Sequence, residues 1–394
     1  MEPLQRQRVV RPLGRGPARL TAVAGALLAT VIAGCGGSTP PPATTPSTSS
    51  TTTTTSSAAP ATPAQTAPTQ SHKLVSCGTS DAPGSEPTQV SGLFSPSSVW
   101  NRPDVAQEPM GDQALAQELS QEAQSEIKQG IGPWIETNTD STPVYVVGAD
   151  QKCVPVHLDV TQAYGKTLSS AFERVPMPAD AKPAAGPDAH LTVIQPSTDS
   201  MWEFWKLRKE GDGWHAGWGG AIHNLSSNPG YYTSAAWPGA QPDWGASATS
   251  LPVVAGTMTI GELESGHIDH ALALAIPNAR SGVYAFPAQR TDGTLETSQA
   301  IPEGTTFRLD PKLDVQALHL PPVVQMMAEA AQRYGIIVRD KTLHAIGFYA
   351  EDPSPLGTNP YPHLFDGKSP GELLQSFPWD HLQVVKATLK SNTP

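Results

Sequence analysis

Basic side chains are scarce in this chain of 394 residues: 25 lysines and arginines stand against 36 aspartates and glutamates, and five of the arginines fall in the first 19 positions. Beyond residue 34 the formal charge is about −15. Phosphate binding needs a basic surface, so a nucleic-acid partner is excluded. A polyanionic glycan would need a cleft that is locally basic. Long apolar runs are missing too, since the longest uncharged one near the N-terminus, LTAVAGALLATVIAG, is too short to span a bilayer comfortably. There is no Gly-x-Ser-x-Gly elbow, no P-loop and no dinucleotide fingerprint. These absences leave carboxylate or histidine chemistry, or none, and no cofactor is expected. Cysteine is rare, with three in all.

What is present at the N-terminus is an export signal. Arg6, Arg8, Arg11, Arg15 and Arg19 precede the short apolar run, which is the order of a charged and then a hydrophobic signal region. Ile32-Ala33-Gly34-Cys35 resembles the lipobox of bacterial lipoproteins, which implies cleavage after residue 34 and lipidation of Cys35. From Gly36 to Ser71 no residue is charged, and Ser, Thr, Pro and Ala make up nearly everything. Such a segment has too little apolar surface to offset the entropy of ordering, so a tether is expected. Mostly extended, it could hold a domain on the order of 100 Å from the anchor. With Cys35 lipidated, Cys77 and Cys153 remain, and an even remainder in an exported protein favours one disulfide. The expected organisation is a signal peptide over 1–34, a lipidated tether over 35–84 and one globular domain over 85–394. The chain would be monomeric and extracytoplasmic, touching membrane through its lipid alone.

Within the domain, a helix should follow Gly111-Asp112, with Leu115, Leu119 and Ile127 along one face and Gly130 just past its end. A second should run from Pro321-Pro322 to Gly335. Capping-box patterns at Thr259–Glu262 and Ser369–Glu372 start two short ones and give both glutamates a structural task. The other ordered segments read as strands. MWEFWKLR (201–208) and WHAGWGGAI (214–222), joined by a Gly-rich loop at 209–213, form a hairpin. Ten or more short strands and few helices predict a mainly β fold, sandwich- or jelly-roll-like with peripheral helices. The alternative is α+β, with the helix from Pro322 against one sheet.

Six of the nine tryptophans, from Trp202 to Trp244, lie within 43 residues. Flat rings stack on the apolar faces of sugars, so Trp205, Trp218 and Trp244, with His223 nearby, are candidate substrate-binding residues. Trp202 and Trp214 divide between that role and a core one; Trp218, Trp237 and Trp244, among Gly, Ser and Pro, are expected to be exposed. Period two places Glu203 between Met201 and Trp205 on one strand face. A carboxylate among apolar neighbours tends to a raised pKa, which suits a general acid. Asp269 or Asp243 is its candidate partner. In SGHIDHALALAIP (265–277) the His-x-x-His spacing about Asp269 is similar to part of the His-x-His-x-Asp-His motif of metallo-β-lactamase-type hydrolases, but Ser265 stands where the first histidine is needed. No metal site is therefore expected. His270 shares a face with Leu272, Leu274 and Ile276, either as a satisfied core histidine or as a base facing a cleft.

The block 202–352 resembles a group of exported bacterial proteins through GWHAGWGGAIHNLSSNPGYY, WGASATSLPVVAGTMTIGELESGHIDHALALAIP and RYGIIVRD. The resemblance implies an exported domain with a shared core and assigns no catalytic residue. The leading expectation is action on extracellular or cell-wall carbohydrate by a carboxylate-dependent glycoside hydrolase. Non-catalytic binding of a glycan or partner is the alternative, and a histidine-dependent lyase using His270 or His223 is a third.

Overall fold

The computed structural model describes residues 73–85, 92–160 and 165–392. The signal region, Cys35 and the Ser/Thr/Pro tether up to residue 72 lie outside the described residues. Local signals act where they were expected. Helix α1 (Gln113–Gln129) is capped by the Asp112 carboxylate, which accepts from the Ala114 N–H, and it ends on Gly130 at φ 69°. Both capping boxes close, at α3 (Ile260–Ser265) and at α6 (Pro370–Leu374). Helix α4 (Pro322–Arg333) starts on its proline, and Gly335 follows at φ 100°. Two short helices, α2 (Lys166–Ala171) and α5 (Tyr361–Leu364), complete the α-helices among the described residues, beside several single turns of 3-10 helix.

The rest is mainly β. A six-stranded mixed sheet runs in the order β1 (Trp134–Glu136), β14 (Gly347–Tyr349), β9 (Leu272–Ile276), β13 (Ile336–Lys341), β12 (Thr306–Leu309), β15 (Leu382–Val384). A four-stranded sheet holds β2 (Val144–Val146), β4 (Leu191–Gln195), β5 (Ser200–Trp205) and β8 (Trp218–His223). Two three-stranded sheets contain β3 (Val156–Leu158), β7 (Gly213–Ala216), β6 (Arg208–Glu210) and β11 (Ile301–Glu303), β10 (Ala279–Ala285), β16 (Leu389–Ser391). Parallel pairs such as β9–β13 and β2–β4 occur beside antiparallel ones such as β4–β5. Strands β4, β5 and β9 are buried along nearly their whole length, as strands covered on both faces are.

The tryptophan hairpin forms and is bent. β5 pairs antiparallel with β8, but the chain leaves that sheet at Lys206, which adopts φ 54°, and returns at Gly217. Between these points β6 and β7 pair with each other through a turn of Gly211 and Asp212, and β7 joins β3 instead. The turn is thus tighter than the loop read from the sequence, and the hairpin serves two sheets. A further correction concerns the start of the domain. The Cys77–Cys153 disulfide is present, and Gly78 and Ser80 donate to the carbonyls of Gln151 and Asp150, each at 3.0 Å. Ser76 N–H donates to Gln195 Oε1 at 2.8 Å. Residues 73–84, expected within the tether, are bonded onto the domain.

Candidate functional site

At the bend of the hairpin lies a cleft of about 560 Å³, lined by the hairpin and by residues from five other parts of the chain. One wall is built on a cross-strand pair: Trp205 of β5 sits directly opposite Trp218 of β8, so both rings stand on one face. Each indole N–H is tied to an aspartate residue of the cleft. Trp205 Nε1 donates to Asp188 Oδ1 at 2.7 Å, and Trp218 Nε1 donates to the Asp243 carbonyl at 3.0 Å. Gly217 leaves the room this needs, since a Cβ there would come within 3.0 Å of the Trp205 ring. The Lys206 ammonium lies 4.1 Å over that ring, a cation–π contact.

The opposite wall carries Arg290, Asp292, Asp340 and Lys341, with the exposed Leu343 at its edge. Behind them stands Glu303, at the end of β11 and fully buried. Its Oε2 accepts from the Thr291 hydroxyl and from the Asp292 N–H at 3.1 Å. The ligand oxygens of Asp292, Glu303 and Asp340 all lie within 4.8 Å of one another. Burial first, and then the neighbouring acids, push Glu303 up to about 8. Burial likewise pushes Asp340 up to about 7, although the adjacent Arg339 opposes it.

The floor is the loop 244–253, and two buried charges from different sheets hold it. Glu203 Oε1 accepts from Tyr232 Oη at 3.0 Å and from the Ala246 N–H at 2.8 Å, while Oε2 accepts from the Val253 N–H at 2.6 Å. From β13, the Arg339 guanidinium donates to the Val253 carbonyl and, at 2.9 Å, to the Ala255 carbonyl. It also lies 3.9 Å over the Tyr349 ring. His190 completes the floor with Nε2 3.3 Å from the Ala246 carbonyl and with Nδ1 buried and unpartnered. Burial pushes this imidazole down to about 4, so it is neutral at pH 7.

Of the candidates read from the sequence, the cleft collects Trp205, Trp218 and Asp243. The others lie elsewhere, for physical reasons. Glu203 has no exposed surface, and both its oxygens are bonded; burial pushes it up to about 7 as anticipated, but it shapes the floor from behind. Trp244 is fully buried beside Tyr232, Trp237 is buried against Trp202 and His223, and Trp218, although it lines the cleft, is only 9% exposed, so none of the three has the expected exposure. His223 packs edge-on against Trp237, outside the cleft. His270 precedes β9 and resolves as the core histidine: Nε2 meets Glu262 Oε2 at 3.2 Å and Nδ1 meets the Ala271 carbonyl at 2.9 Å. Burial opposes its charge, but Glu262 outweighs it and raises the pKa. Asp269 is half-buried outside the cleft, 3.4 Å from His267 Nε2 and 3.2 Å from Tyr334 Oη.

Sequence reasoning missed Asp188, His190, Arg290, Asp292, Glu303, Asp340 and Lys341. A signal existed for two of them: in GIIVRDK an arginine, an aspartate and a lysine in succession end a strand that begins apolar and buried, where a charge needs a reason. No protein-family model matches the chain, and comparison with curated proteins and with solved structures finds no match either.

Proposed function

We propose that the protein is an exported, lipid-anchored enzyme that binds a carbohydrate in this cleft and hydrolyses it with carboxylates. The observation that supports this reading most is the paired platform of Trp205 and Trp218, each carrying an aspartate residue into the cleft. An indole face suits the apolar side of a pyranose, and carboxylates beside it suit the ring hydroxyls. Asp243 and Asp188 are then the acid–base pair, the role that a glycoside hydrolase gives to two carboxylates flanking one bond. A sugar on Trp205 takes the place of the Lys206 ammonium, whose flexible stem can swing aside. A lyase using His270 or His223 loses support, since neither lines the cleft. The disulfide fits an oxidising compartment beyond the membrane.

The test is reducing-end release from cell-wall and storage polysaccharides by the purified protein. Asp243→Asn and Asp188→Asn are each expected to slow release by roughly 10²–10⁴-fold, the usual worth of a general acid or base. Release that persists undiminished in both variants removes this pair from the mechanism. Saturable glycan binding with no release at any pH from 4 to 8 would leave a binding protein in place of a hydrolase.

A further inference from the structure

We propose that Asp292, Glu303 and Asp340 form a binding site for a divalent cation of the calcium type at the edge of the cleft. Three carboxylates converge there with ligand oxygens within 4.8 Å of one another. Ca²⁺ binds oxygens at about 2.3–2.6 Å, so two of its ligands stand up to about 5 Å apart, and the spacing of this set is compatible with three ligands of one ion. A cluster of acids alone would be unremarkable, but Glu303 adds an independent sign. It is fully buried, and its Oε1 has no hydrogen-bond partner. A buried carboxylate oxygen left unpaired is disfavoured unless a proton or a cation meets it.

Arg290 and Lys341 lend positive charge to these acids, but neither forms a hydrogen bond with Glu303 Oε1. Lys341 Nζ comes within 3.9 Å of Asp292 Oδ2, on the exposed side of the group. Arg290 turns Nη2 to the Ser247 carbonyl at 3.1 Å, and its Nε is buried without a partner. Meanwhile Glu303 Oε2 is fixed by the Thr291 hydroxyl and the Asp292 N–H, and Asp340 Oδ1 accepts from the Lys341 N–H at 2.9 Å. The carboxylates are therefore oriented before any ion arrives, which is what an outer shell does for metal ligands. All donors are hard oxygens, with no histidine or cysteine among the three, so calcium is favoured over zinc or copper. The small, strictly octahedral Mg²⁺ is a poorer match to ligands spaced this widely. Asp292 and Asp340 also face the cleft, so water or a ligand hydroxyl can complete the shell.

Purified full-length protein, treated with EGTA and dialysed, is titrated with CaCl2 in a calorimeter and melted with and without 5 mM Ca²⁺. One saturable site per chain is expected, with a Kd on the order of 10⁻⁴ M, as in extracellular calcium modules, together with a rise in Tm. Glu303→Gln and the exposed Asp292→Asn should each weaken binding about tenfold or more. The distant surface variant Asp380→Asn should bind as the parent does. Failure of Ca²⁺ to bind or to shift Tm, equal binding in the Asp292→Asn protein, or Mg²⁺ binding as tightly as Ca²⁺ would each overturn the proposal. The readout contains no glycan, so it stands or falls apart from the carbohydrate reading.

Discussion

A carboxylate with no exposed surface has lost its hydration, and Glu203 recovers part of that loss through three donors. Two of them are N–H groups of the loop 244–253, so the bonds that satisfy the acid also shape the cleft floor. Tyr232 supplies the third, and Gly220 makes room for it, because a Cβ there would fall 2.1 Å from the Tyr232 hydroxyl. Removing that hydroxyl leaves the carboxylate one donor short. Tyr232→Phe is therefore expected to lower stability by about 1–3 kcal/mol, the range for hydrogen bonds to charged groups, as read from urea denaturation. An unchanged midpoint would mean that the Tyr232 bond contributes nothing net. At this scale the sequence was partly legible. Period two correctly put Glu203 among apolar neighbours, but it could not say that the opposite face would be covered as well.

Among the elements, α3 shows how a short helix becomes indispensable. Six residues cannot hold a helix by propensity alone. Here Thr259 caps the N-terminus, and Glu262 Oε2 accepts from the Thr259 N–H at 3.0 Å and from its hydroxyl at 2.8 Å. The same oxygen meets His270 at 3.2 Å, so the cap of α3 is tied to the residue that leads into β9. Thr259→Ala removes the cap and one bond to Glu262, and a loss of about 1–2 kcal/mol is expected, at the upper end for a cap because the site is buried. Urea melts check this, and a loss below about 0.5 kcal/mol would place the stability of α3 wholly in its packing. The capping boxes and the glycine ends of α1 and α4 could be read directly, since each involves residues only a few positions apart. The bend of the hairpin could not, because it depends on which sheet β6 and β7 join.

For the whole molecule the buried acids set the response to pH. Burial raises Glu203 to about 7 from an ordinary 4.5, with the donors and Arg339 opposing it. The folded state thus holds a proton between about pH 4.5 and 7 that the unfolded state has released. The stability contribution is full below pH 4.5 and is lost as pH rises through 7. His190 runs the other way: lowered to about 4, it loses stability as pH falls from 6.5 toward 4. A difference measurement separates them. Between pH 4.5 and 8 the wild type should lose on the order of 2–3 kcal/mol relative to Glu203→Gln, by the free energy of a shift of this size. Parallel curves of stability against pH for the two proteins would show that Glu203 stays ionised throughout.

The sequence by itself determined what depends on near neighbours or on composition: the helix caps, many of the strand segments, the mainly β class and the pairing of Cys77 with Cys153. Tertiary structure alone decided which side chains share a cleft. Asp188, Asp243, Asp292 and Asp340 come from positions spread over some 150 residues and meet because β5 pairs with β8 and because Gly304 N–H, just past β11, donates to the Val338 carbonyl of β13 at 2.7 Å. A one-residue slip in either pairing would turn these groups away from one another, and no local pattern in a strand records the register of its distant partner. For the same reason Trp218, though largely buried, contributes to the cleft lining while Trp244, from an equally glycine-rich stretch, does not.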